Sequence, residues 1–98
     1  MLVNERTRSG KEALAYGFEK YRLGEVIGSR TSGAVLAASA FLMGNGDLLV
    51  LAVDDVRVDG ERLEGTGVGP TIAVPFNSRY AACTDPQLDR AVAALSHR

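Results

Sequence analysis

Ser9 is the residue of this 98-residue chain best placed to do chemistry. A short apolar run, Leu2-Val3-Asn4, leads through the polar turn Glu5 to Arg8 into Ser9-Gly10-Lys11-Glu12, which opens a helix. A strand–turn–helix of this kind exposes a serine hydroxyl where backbone N–H groups can hold an oxyanion. The same residues support a second reading. Ser-x-x-Glu is a capping box, in which Ser9 Oγ accepts from the Glu12 N–H and the Glu12 carboxylate accepts from the Ser9 N–H. Both readings put Ser9 at a helix N-terminus. There the helix dipole and the Gly10 N–H favour a developing negative charge, an effect worth about 3 kcal/mol in working enzymes.

The remaining reactive residues are few. Cys83 is the only cysteine, which excludes an intrachain disulfide and a cysteine-rich zinc site. No base is identifiable near it, so it reads as a small buried or loop residue rather than a nucleophile. His97 is the only histidine and stands next to last, where a cation suits a helix C-terminus. Glu64, taken alone, reads as a solvated hairpin residue. The residues call for no cofactor and no metal.

Composition narrows the function classes. The apolar fraction of 46% is that of an ordinary globular protein, and 98 residues suit a single domain over 1–98. A formal charge of -1 with scattered Lys and Arg gives no electrostatic reason to expect nucleic acid or an anionic membrane. No apolar run reaches the roughly 18 residues of a membrane-spanning helix. Glu5, Arg6 and Arg8 interrupt any signal-peptide core. None of this fixes a compartment.

The elements that must position Ser9 follow from periodicity and turn chemistry. Lys11 to Tyr21 is predicted to be a helix with Leu14, Phe18 and Tyr21 on one face; Lys11, Glu12, Glu19 and Lys20 fall mostly elsewhere. Gly24 is a stop. Glu25 to Gly28 reads as a strand and Ser29 to Gly33 as a loop. Ala34 to Met43 and Leu48 to Val53 read as a hairpin about Gly44-Asn45-Gly46-Asp47, where Asn-Gly suits a type I′ turn. The unbroken apolar run Leu48 to Val53 is that of a strand covered on both faces. Leu63 to Pro70 is glycine-rich and irregular, and Thr71 to Val74 is a short strand. Thr84-Asp85-Pro86-Gln87 starts a last helix, with Thr84 or Asp85 as cap and an apolar stripe of Leu88, Ala91, Val92 and Leu95.

The order of these pieces resembles the C-terminal half of the catalytic domain of tail-specific (C-terminal-processing) serine peptidases. The residues that carry the likeness are Asn4, Ser9 and Glu12 in an N-x-x-x-x-S-x-x-E pattern, then Tyr21, Gly28, Thr31 and Gly33. They continue with Asp59-Gly60, Glu64-Gly65, Gly67-Val68, Pro70 and Asp85-Pro86-Gln87-Leu88. The likeness covers nearly the whole chain. It implies an α/β fold, α+β for this part alone, drawn from the superhelix shared with Clp-type peptidases and crotonases. This part would hold a small mixed sheet, a long hairpin and two helices.

The resemblance also implies roles. Ser9 takes the nucleophile position, Gly10 supplies an oxyanion N–H, and Thr31, Ser32 and Gly33 form a loop that meets the substrate, a peptide or protein. One branch of the family pairs its serine with a lysine just after the T-x-G glycine. Ala34 stands there, so that dyad does not carry over. The tricorn-like branch uses a histidine from earlier in the domain and a glutamate near the E-G-x-G segment, a role that falls to Glu64. The expectation is a chain that carries the nucleophile, lacks the base and is inactive alone. The alternative is a non-catalytic module that self-associates. Either way the uncovered strands predict a homodimer or higher assembly, through the sheet or by exchange of the arm Ala34 to Val58.

Overall fold

The computed structural model describes residues 1–97, with Tyr80 described by its backbone alone. The chain runs β1 (Leu2–Val3), α1 (Gly10–Lys20), β2 (Ile27–Gly28), β3 (Ala37–Leu42), β4 (Leu48–Asp54), β5 (Ile72–Ala73), a 3-10 turn (Ser78–Tyr80) and α2 (Pro86–Ser96). Parallel and antiparallel strands are both present, but in two sheets and not one mixed sheet. β1, β2 and β5 form a parallel sheet in the order β1-β2-β5, with Leu2 opposite Ile27 and Ile27 opposite Ile72. β3 and β4 pair only with each other, from Leu42 opposite Leu48 to Ala37 opposite Asp54.

The core lies beside the parallel sheet. Val3, Ala15, Val26, Val35, Leu63 and Val68 pack there, with Met1, Tyr16, Phe18 and Val58 against them. α2 packs on β1 and β2. Its cap is Asp85, whose carboxylate accepts from the Gln87 and Leu88 N–H groups, and Pro86 stands in the first turn.

In both helices the most buried residues lie off the apolar stripes expected of them, which are covered only in part, at Phe18 and Ala91. In α1, Glu12 and Ala15 are buried, whereas Leu14 and Tyr21 are exposed and Phe18 is half-buried. In α2, Gln87 is buried and Ala91 and Ala94 are half-buried, leaving Leu88, Val92 and Leu95 exposed. Gln87 turns inward because its Nε2 donates to the Val74 carbonyl at 2.8 Å, which ties the helix to the end of β5. A hydrogen bond thus sets the packed face of α2.

The hairpin is an arm. Every residue of β4 is exposed, and so are residues 38–42 of β3. The expectation that Leu48 to Val53 is covered on both faces therefore fails within this chain. The Cα radius of gyration is 16.6 Å and the long axis 56 Å, against about 13 Å for the radius of a compact chain of this size. The turn also differs from a type I′ turn. The Gly46 N–H donates to the Met43 carbonyl and the Met43 N–H to the Asp47 carbonyl, with Gly46 at φ 90. Gly44 adds a residue, and the loop becomes a three-residue turn whose last position is left-handed.

Candidate active site

Ser9 sits at the N-cap of α1 with φ 62 and ψ -138. Positive φ in a serine is a strained conformation, found where the surrounding structure over-determines it. The Ser9 N–H points inward and is shared between the Ala34 carbonyl at 2.8 Å and Glu12 Oε2 at 3.2 Å. The residue itself is exposed. Ser9 and Glu12 stand in capping-box relation, and the Glu12 half is a hydrogen bond. In the Ser9 half the side chain faces the Glu12 N–H as the box requires, but without a hydrogen bond to it. The Glu12 N–H donates to the Ser9 backbone carbonyl at 2.8 Å. The hydroxyl is therefore left for other partners.

Beneath Ser9, Glu12 is fully buried and organises the site. Its Oε1 accepts from the Thr31 hydroxyl at 2.5 Å and the Gly33 N–H at 2.6 Å. Its Oε2 accepts from the Ala34 N–H at 2.9 Å as well as from Ser9. Burial pushes this carboxyl's pKa up, but the Thr31 hydroxyl and the Gly33, Ala34 and Ser9 N–H groups outweigh it. The pKa lies below the ordinary glutamate value. In the sequence Glu12 falls among the polar positions of α1, and nothing local marks it as a site residue. Three of its four donors lie 19 to 22 residues downstream. The one available signal was the pairing of Ser-x-x-Glu with the Thr-x-Gly loop.

Thr31 is buried, donating to Glu12 and accepting from the Val68 N–H at 2.7 Å. Its side chain is thus engaged with interior groups. Gly33 is buried too, and of the three loop residues Ser32 alone is exposed. Gly67 lies so close that a Cβ on it would stand 2.6 Å from the Thr31 carbonyl oxygen, and its φ is +67. Only glycine suits that position.

Glu64 is half-buried, and its Oε2 accepts from the Val35 N–H at 2.7 Å and the Leu36 N–H at 3.1 Å. Those two residues form part of a groove of about 420 Å³ that Ser9 and Gly10 also line. The rest of its wall is apolar, from Ala13 on α1 to Val56 and Val58 beyond the arm. Gly10 is the first residue of α1, so its N–H has no intrahelical acceptor. A Cβ built on it would meet nothing within 4 Å. The structure thus brings Ser9, Gly10 and the Glu64-bound segment Val35-Leu36 together along one groove. His97 is the C-cap of α2 and is not among the groove residues. Cys83 is exposed in the turn before α2. Among the described residues no cluster of His, Cys, Asp or Glu fits a metal ion, and no helix is long and apolar enough to cross a membrane.

A serine at positive φ thus stands at a helix start beside a largely apolar groove. Comparison with known proteins is more specific. The model of peptidase family S41 matches residues 1–74, and the chain belongs to that family. Within it the likeness runs to the tricorn type. The putative Tricorn-like protease C-terminal subunit of Sulfurisphaera tokodaii is 33% identical over 98 aligned residues, which cover 93% of this chain and 11% of that protein. The crystal structure of the tricorn protease matches with a TM-score of 0.81 at 27% identity, over 98% of this chain and 10% of that one. This chain therefore spans about a tenth of the length of either.

Proposed function

We propose that this chain carries the nucleophile of a serine peptidase. Ser9 Oγ attacks the carbonyl carbon of a peptide bond lying in the groove. The carbonyl oxygen becomes an oxyanion beside the Gly10 N–H. The C–N bond breaks, the amine leaves with a proton, and water then hydrolyses the Ser9 ester. The observation that carries this reading is the Ser9 backbone at φ 62 and ψ -138 with its hydroxyl free of a cap hydrogen bond. A serine needs a base to be a good nucleophile. Ala34 stands where a Ser–Lys dyad would have its amine, and His97 is not in the groove. The base therefore comes from outside these residues, as a histidine of the tricorn-like kind, with Glu64 as its orienting carboxylate. Glu64 Oε2 is bound to Val35 and Leu36, which leaves Oε1 to accept from an imidazole. Ser32 is the loop residue open to substrate. The 98 residues act as one unit, the later part of a catalytic domain with the crotonase-like superhelix, of the tail-specific kind.

Acylation tests this without the missing base. The pure chain is treated with p-nitrophenyl acetate, with and without added imidazole, and mapped by mass spectrometry. Ser9 should be acetylated faster than Ser29, Ser32 or Ser39, and imidazole should raise its rate. Equal labelling of Ser9 and these three serines would overturn the reading.

A second reading rests on the arm, whose apolar residues are exposed on both faces. In it the chain is a non-catalytic module that self-associates through β3 and β4. The assembly and the peptidase role are compatible, and the oligomeric state is a separate measurement.

A further inference from the structure

Glu12 is a charge buried with no cation beside it among the described residues, whose ion pairs lie at Asp59 and Asp55. Acidic side chains are almost never fully buried unless paired. Four hydrogen-bond donors alone compensate for the water this carboxylate has lost. In an ordinary capping box the glutamate stays on the surface and serves one N–H, that of the cap residue. Glu12 serves that N–H and three donors from a distant loop. An apolar residue would fill the same space, but it would tie none of these groups together.

The donors fall into two sets. One is the Ser9 N–H, in the turn that presents the hydroxyl. The other is Thr31, Gly33 and Ala34, on the loop that continues into the groove wall at Val35 and Leu36. One carboxylate thus fixes the distance from turn to wall. It also fixes the Ser9 N–H inward, and with φ at 62 the side chain then stands on the exposed side of the turn.

We propose that Glu12 is the positioning residue of the Ser9 site: its buried carboxylate holds Ser9 in its left-handed conformation and locks that turn to the Thr31 to Ala34 loop, which continues into the groove wall at Val35 and Leu36. The word nucleophile for Ser9 rests on the peptidase reading above, while the positioning itself does not. The acylation experiment tests the first, and a stability cycle tests the second.

The cycle combines Ser9→Gly with Glu12→Gln in the 98-residue chain, with folding constants from urea melts. Glycine adopts positive φ without the penalty a serine carries. If Glu12 enforces that conformation, Ser9→Gly raises the folding constant about threefold or more in the Glu12 chain. In the Glu12→Gln chain the amide cannot accept at both ends. The Ser9 turn is free to relax, and the same change brings no gain. An equal factor in both backgrounds is what a merely space-filling Glu12 gives, and it overturns the proposal.

If Glu12→Gln does not fold, the unaltered chain decides. Its amide proton shifts are followed by NMR as pH falls. Ser9, Gly33 and Ala34 should move together on one apparent pKa, below that of an ordinary glutamate, while Ile72 in the parallel sheet stays still. The other charged groups near this network are Arg8 and Lys11 on the turn and helix, Arg30 on the loop and Glu64. The first three are exposed, and the Glu64 carboxylate is engaged with Val35 and Leu36. A Ser9 amide that does not follow Gly33 and Ala34 overturns the proposal.

Discussion

Glu12 and Glu64 divide four consecutive backbone N–H groups between them. Glu12 takes those of Gly33 and Ala34, and Glu64 takes those of Val35 and Leu36. A paired strand would spend these donors on a neighbouring strand. Here two carboxylates from different parts of the chain take them, and the segment becomes a fixed wall without belonging to a sheet. β3 begins only at Ala37, where the carboxylates end. The Ser9 turn is attached to the Glu12 half of this run, and the groove runs along the Glu64 half.

Thr31 is the simplest test of the network. Thr31→Val keeps the shape and removes the hydroxyl that donates to Glu12 and accepts from the Val68 N–H. The Val68 N–H is then buried without a partner, at a cost of about 2 kcal/mol. Thr31→Ser keeps both hydrogen bonds and should cost less than about 1 kcal/mol. Urea denaturation of the two variants measures the difference, and equal midpoints would show that the hydroxyl carries no weight.

The network also sets an acid limit. The folded-state pKa of Glu12 is lowered from 4.5, so the unfolded chain takes up the proton more readily than the folded one. The contribution of Glu12 is therefore complete above about pH 5 and is lost as pH falls through its folded pKa. Asp59 has the same sign, first through the Tyr21 hydroxyl that donates to it and then through Lys20 at 3.5 Å. It lies on the surface, so salt screens the part due to Lys20. Urea midpoints measured from pH 7 to 3 in high salt should still fall below about pH 4.5 in the parent chain. In Glu12→Gln they should fall less. The same acid slope in both would place the titration elsewhere.

Ser9→Ala should leave stability within about 0.5 kcal/mol of the parent chain. An N-cap serine that bonds the helix loses about 1 kcal/mol on this change, but the Ser9 side chain makes no such bond. Alanine meets the same strain at φ 62 as serine, so that term cancels. A loss of a full 1 kcal/mol in urea melts would mean that Ser9 caps the helix in solution and that its hydroxyl is not free.

What was legible in the sequence is what local chemistry decides. The order of elements, the Asp85 cap and the glycine-rich turns follow from neighbours within a few residues, and each is in place. What was not legible depends on partners far along the chain. Glu12 looks like a surface residue until Thr31, Gly33 and Ala34 come to meet it. Gln87 turns α2 inward only because the Val74 carbonyl waits for it. The apolar stripes of both helices were drawn from periodicity, which knows which residues are apolar but not which face has a hydrogen bond to satisfy. The free Ser9 hydroxyl was likewise beyond the pattern. Ser-x-x-Glu fits a closed box and an open one equally, and the positive φ that opens it is a tertiary effect.

The arm carries the last prediction. Leu42, Leu48 and Val50 are 76%, 67% and 64% exposed, and Phe41, Leu49, Leu51 and Val53 are open beside them. From Ala34 to Val53 the only charged residue is Asp47, at the tip. The arm thus lacks the charges by which edge strands are kept apart. Together these open side chains make the arm apolar along its length. A monomer rarely leaves so large an apolar patch in water. The chain should therefore form a dimer or higher assembly at micromolar concentration, through faces or edges of β3 and β4. Leu51→Lys puts a charge in the middle of β4 and should shift the equilibrium toward monomer, with the parallel sheet and the Ser9 site undisturbed. Sedimentation equilibrium measures both chains. A parent chain that runs at 10.4 kDa throughout the micromolar range would refute self-association through the arm. A dimer that Leu51→Lys leaves intact would move the interface elsewhere.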